Sequence, residues 1–185
     1  MELPLLGLTT WHEEKARAMG LEINAIARVS AVDRGLYRVW GRTGETAAVL
    51  AGRLAHAAGR GEDLPCVGDF VAVRGQDSPR VIEAVLPRRT VLRRKAAGPG
   101  TDSQLIAAGV DLAFVVQASR YDYNPRRLER YLAMASAGGV AAAVLLTKAD
   151  LPRPGNWPCR WPGLRRRLGR RSWPSAPPAA RDSTP

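Results

Sequence analysis

Val110-Asp111-Leu112-Ala113-Phe114-Val115-Val116, Asn124-Pro125-Arg126-Arg127-Leu128-Glu129-Arg130-Tyr131-Leu132-Ala133-Met134 and Val140-Ala141-Ala142-Ala143-Val144-Leu145-Leu146 decide how the second half of this chain folds. The first and last are near-continuous apolar runs, the pattern of strands buried on both faces. Between them the period changes. Asn124 can cap a helix, and Pro125 at the first helical position gives up no needed hydrogen bond. Leu128, Tyr131, Leu132 and Ala135 share one helical face, and Gly138-Gly139 ends the helix. Strand, helix and strand in succession form a βαβ unit with its two strands parallel.

Upstream, the pattern is different. Short strands are expected at Ala25–Val29, Leu36–Trp40, Ala47–Leu50, Phe70–Val73 and Arg80–Leu86. Turn-formers such as Gly41-Arg42-Thr43-Gly44 and Gly75-Gln76-Asp77-Ser78-Pro79 separate them. About five strands at this spacing, without room for crossover helices, predict a small antiparallel barrel; a five-stranded Greek-key barrel of the OB type is the natural candidate. The fold class is therefore α+β and multidomain: an N-terminal segment over 1–24, an OB-type barrel over 25–95, a partial α/β domain over 96–150 and a tail over 151–185.

The formal net charge of +11 is unevenly spread. Residues 151–185 hold eight arginines against one acid, Asp182, with eight of the 14 prolines and three of the five tryptophans. Their only large aliphatics are Leu151, Leu164 and Leu168, too few for a core. Such a segment reads either as a disordered arm that binds nucleic-acid phosphates or as a GC-rich gene translated out of frame, which yields Arg, Pro, Ala, Gly, Trp and Ser in bulk. The repeated Trp-Pro pairs at 157, 161 and 173 favour the second. The whole composition, 45% apolar and 24% charged, is that of a folded protein. Two cysteines, Cys66 and Cys159, exclude a disulfide scaffold or a Cys₄ zinc site. No apolar run is long enough to span a bilayer, and the start lacks a basic n-region, so no membrane association and a cytoplasmic location are expected.

Chemistry concentrates directly after the second buried strand, at Thr147-Lys148-Ala149-Asp150. In open α/β sheets ligands bind beyond the carboxyl ends of the strands. A carboxylate at Asp150 can accept two parallel bonds from the ring N–H and exocyclic amine of guanine, a donor pair adenine lacks. Lys148 can lie across the base and Thr147 can tie neighbouring loops. The bland alternative is a solvated turn. Elsewhere, His12 has no second histidine four residues on, and no Gly-x-Ser-x-Gly elbow exists. No catalytic residue and no metal ligand are assigned.

Leu64–Val71, Leu86–Lys95, Gln104–Asp111, Arg127–Leu132 and Leu146–Leu151 together resemble the circularly permuted GTPases of the ribosome small-subunit-dependent family, RsgA or YjeQ. One departure is Gly109, where that family usually has Asn; an altered local turn is expected there. The resemblance implies an OB domain, a permuted GTPase domain in which the base-recognition element precedes the phosphate loop, and a zinc-binding domain. It also implies GTP, Mg²⁺ and Zn²⁺ as cofactors, and late maturation of the small ribosomal subunit as the role, with ribosomal RNA as partner. None of the three lysines, Lys15, Lys95 and Lys148, stands in Gly-Lys-Ser/Thr, and no Asp-x-x-Gly occurs. The phosphate and Mg²⁺ sites are thus missing from these residues, as are the zinc ligands, and the GTPase domain reads as truncated after the base-recognition element.

The basic cluster Arg88, Arg89, Arg93, Arg94 and Lys95 reads as a contact for ribosomal RNA phosphates, against the bland reading of a solvated linker. Arg126, Arg127 and Arg130 read as solvent-facing charges. The chain is expected to be a monomer carrying the family's RNA and guanine contacts but inactive alone. The alternatives are a non-catalytic OB module that binds ribosomal RNA, or a non-functional frameshifted fragment.

Overall fold

A computed structural model describes residues 3–57, 63–95, 103–118 and 123–148. Five strands, β1 (Ile26–Asp33), β2 (Leu36–Gly41), β3 (Gly44–Leu50), β4 (Phe70–Arg74) and β5 (Arg80–Val85), close a barrel in the order β1-β2-β3-β5-β4. Four seams are antiparallel, but β3 and β5 pair in parallel, from Ala48 opposite Arg80 to Leu50 opposite Ile82. The expectation of an antiparallel barrel is corrected at this seam by a parity argument. Directions cannot alternate all the way round a ring with an odd number of strands, so at least one pair must run the same way.

Alternation along the strands makes two cores. Ala27, Val29, Tyr37, Val39, Ala48, Val71, Val73 and Ile82 fill one. Their sequence neighbours Ile26, Phe70 and Ala72 point the other way, where they meet Leu3, Leu8, Ala16 and Leu86. The N-terminal segment supplies that cover through a 3₁₀ turn (Leu3–Leu6) and a helix, α1 (Thr10–Ala18). Its start is capped by His12: the Thr9 N–H donates to His12 Nδ1 at 3.2 Å, and the Thr9 hydroxyl lies 2.9 Å from the same nitrogen. A second short helix, α2 (Gly52–Ala57), follows β3.

After the barrel, β6 (Val91–Lys95) pairs antiparallel with β7 (Ser103–Ala108), with a bulge between Leu92 and Arg93. Then β8 (Leu112–Ala118) and β9 (Ala141–Thr147) run parallel around α3 (Pro125–Ala137). Asn124 Oδ1 accepts from the Arg127 N–H at 3.0 Å, the expected cap, and Gly139 at φ +71° turns the chain out of α3. Only one face of this sheet is covered by a helix among the described residues. Val115 and Gln117 are buried, whereas Phe114, Val116 and Leu145 are exposed. The expectation of burial on both faces fails there because α3 can cover only one.

Backbone contacts join these parts. The Val91 N–H donates to Gly138 O at 3.0 Å, and the Ala108 N–H to Val67 O at 2.9 Å. Arg28 adds a side-chain fork: Nε donates to Gly68 O at 3.2 Å, Nη2 to Gly109 O at 2.9 Å and Nη1 to Leu6 O. A single guanidinium therefore holds the N-terminal turn, the loop before β4 and the corner between β7 and β8.

Candidate functional site

Thr147 ends β9 on the carboxyl side of the parallel pair, where a ligand of an α/β sheet binds. Its hydroxyl donates to Gln117 O at 3.4 Å, tying the ends of β8 and β9. Lys148 follows at φ +57°, a left-handed conformation unusual for a side chain of this size, which ends the extended run of β9. Asp150 lies outside the described residues. Gln117, one residue beyond the apolar run Val110–Val116 and not singled out from the sequence, sits at this same end. Its side chain is buried, Oε1 accepts the Asn124 N–H at 3.4 Å, and Nε2 has no partner among the described residues. A polar side chain inside an otherwise apolar strand was the signal that could have found it. This amide donor is the one polar group among the described residues at this end of the sheet that is buried without a partner.

The basic cluster divides. Arg88 turns inward, its side chain 18% exposed, onto Asp69, 1% exposed: Nε reaches Oδ1 at 2.8 Å and Nη2 reaches Oδ2 at 2.7 Å. Nη2 also donates to Leu64 O at 2.8 Å, and Asp69 Oδ2 accepts the Cys66 N–H at 2.8 Å. Burial works against the Arg88 charge, but its bonds and attraction to Asp69 outweigh that and raise its pKa. This arginine locks the loop before β4. Arg89 instead lies 5.8 Å from the Trp11 ring centroid, and Lys15 Nζ lies 5.7 Å from the same ring. Arg93 and Arg94 stand on β6, where Arg94 Nε and Nη2 donate to Gln104 Oε1 at 3.0 and 2.8 Å. Lys95 ends that strand.

Arg93 and Arg94 face α3 across a cavity of about 560 Å³, whose lining includes Arg130, Tyr131 and Met134. Arg130 is exposed, as its sequence context suggests, and also lines this groove, and Tyr131 stands 42% exposed rather than in the core. Burial pushes the Cys66 thiol up to about 12, so it is inert packing. No group of three or more His, Cys, Asp or Glu suited to a metal occurs among the described residues.

A sequence model of the RsgA GTPase family matches residues 85–164. A curated relative from Syntrophotalea carbinolica, named small ribosomal subunit biogenesis GTPase RsgA, is 40% identical over 137 residues, covering 68% of this chain and 36% of the relative. Over these residues the sequence matches the RsgA family. It spans about a third of the length of this relative and of others that it matches. Two solved structures share the fold: YloQ, described as a circularly permuted GTPase (TM-score 0.51, 18% identity, 70% of this chain and 42% of that one), and YjeQ from Thermotoga maritima (TM-score 0.53, 20% identity, 70% and 43%). Where RsgA sequences usually carry Asn, Gly109 has φ +61°, a conformation that Asn and Gly both tolerate.

Proposed function

We propose that this chain carries the RNA-contacting and base-recognising parts of a small-subunit biogenesis GTPase and turns over no GTP by itself. The observation that carries the reading is the placing of Thr147 and the left-handed Lys148 at the carboxyl end of a parallel β8–β9 pair, in a chain of RsgA-like sequence. Thr147 holds β8 to β9, Lys148 presents its stem to the base, and Asp150 accepts from the two guanine donors. Hydrolysis requires charge stabilisation around the phosphates and Mg²⁺, and no Gly-Lys-Ser/Thr or Asp-x-x-Gly occurs in these 185 residues. Arg89, Arg93, Arg94 and Lys95 bind ribosomal RNA phosphates. Arg88, the fifth basic residue, contributes by holding their loop. The chain acts as a monomer in the cytoplasm, off the membrane.

Co-sedimentation with purified small ribosomal subunits over a salt series tests the reading, with phosphate release followed in parallel. Binding that weakens steeply with salt, without turnover, is expected. Absent or salt-independent binding sinks the RNA role. Robust GTP turnover refutes the claim of inactivity.

A further inference from the structure

We propose that the groove between α3 and β6 binds one nucleotide of single-stranded RNA, its phosphates on Arg93, Arg94 and Arg130 and its base against the Tyr131 ring. The inference deepens the RNA reading above and rests on it. Three features carry it. First, successive side chains of a regular strand point to opposite faces, yet Arg93 and Arg94 both line this groove. The register shift beside them leaves Ile106 of β7 without a partner on β6, so the strand pair is irregular where it borders the groove. Second, Arg130 comes from α3, so positive charge reaches the groove from both walls, and no lining residue is acidic among those described. Arg94 is already oriented by two bonds to Gln104 Oε1, which leaves N–H donors of its guanidinium for an anion and reduces the ordering cost of binding.

Third, the groove is not an anion site alone. Its lining includes Val91 and Met134, Tyr131 beside them is 42% exposed, and about 560 Å³ is ample for a nucleotide. Guanidinium groups beside an aromatic face are the pairing that grips single strands: charge follows the backbone, and the ring stacks on any base. A purely acidic peptide would use the arginines and leave the ring and apolar lining wet.

The test is fluorescence anisotropy with a labelled ten-nucleotide uridine RNA and an abasic strand of equal charge, using the full chain. Tyr131→Leu should weaken the RNA complex about tenfold and leave the abasic complex unchanged; Tyr131→Phe should restore affinity. Arg130→Gln should weaken both ligands and lower the slope of log K against log salt by about 0.7. Arg38→Gln, on the far barrel hairpin, should change neither beyond that general charge effect. Wild-type binding that is indifferent to Tyr131→Leu and Arg130→Gln overturns the groove while leaving the RNA role standing. No RNA binding by wild type overturns both. Equal losses for RNA and abasic strand in Tyr131→Leu, or displacement of RNA by polyglutamate at matched charge, would make the groove an acidic-peptide site and overturn the proposal.

Discussion

Replacing Arg88 by Met separates a structural arginine from an RNA-binding one. The side chain is of similar length and can keep the apolar contacts, but the Asp69 carboxylate loses both of its guanidinium bonds, at 2.8 and 2.7 Å. Only the Cys66 N–H, at 2.8 Å, remains to it among the bonds described here, at a side chain 1% exposed. With charge centres about 4 Å apart, the lost attraction is about 4 kcal/mol at an effective dielectric of 20. Breaking one side of a buried pair costs about 3–5 kcal/mol in measured cases, so both routes agree. Set against a total of about 5–15 kcal/mol for an ordinary domain, this removes a large part of the stability. Urea unfolding followed by far-UV circular dichroism reads it directly. With a slope of about 2 kcal/mol/M, the midpoint should fall by about 2 M. The double variant Asp69→Leu/Arg88→Met should recover much of the loss, since no charge is then left buried. A loss below about 1 kcal/mol, or single effects that simply add, would refute the reasoning. RNA affinity of the fraction still folded should be unchanged; a folded Arg88→Met protein with weakened RNA binding would return this residue to the RNA face.

Two further outcomes are expected. Gly138→Ala should cost about 2–4 kcal/mol, because a Cβ there would overlap the Val91 carbonyl. Gly20→Ala, at φ +68° in open space, should cost only about 1 kcal/mol; equal urea midpoints for the two would contradict the close approach. His12 has its pKa lowered by burial, then by Arg89 and Arg28, with Asp111 opposing. The folded state therefore favours the neutral ring, the contribution is fully present above the unfolded value of about 6.5, and it fades as pH falls from there toward the folded value. Thermal melts should show wild type losing more stability than His12→Asn between pH 7.5 and 5.5, and parallel losses would contradict this.

The barrel strands and the βαβ unit were legible because their signals are local: alternation, turn residues, and the Asn124-Pro125 start and Gly138-Gly139 stop of α3. Helix α1 was not, since its cap is a Thr9–His12 pair rather than the usual acid, and only its packing under Leu3 and Leu8 makes it worth forming. The parallel β3–β5 seam follows from counting strands, a global property that no window contains. For the site, Thr147 and Lys148 could be placed from their position after a strand. The inward turn of Arg88 could not, because its partner Asp69 lies 19 positions away. Arg130 is the exposed helical charge that its sequence suggests, but that it shares a groove with Arg93 and Arg94 depends on the strand opposite, which no helical window contains.

Arg28 has a consequence for the order of assembly. Its acceptors include Gly68 and Gly109, 40 and 81 positions downstream. During synthesis the barrel has all five strands once Val85 has emerged, and it can close then with Arg28 anchored to Leu6 and Gly68. The third bond must wait until the corner after β7 appears. The guanidinium is thus a latch that shuts in stages: the finished barrel offers a preset donor to the chain still arriving, and the second half is docked against a template already made.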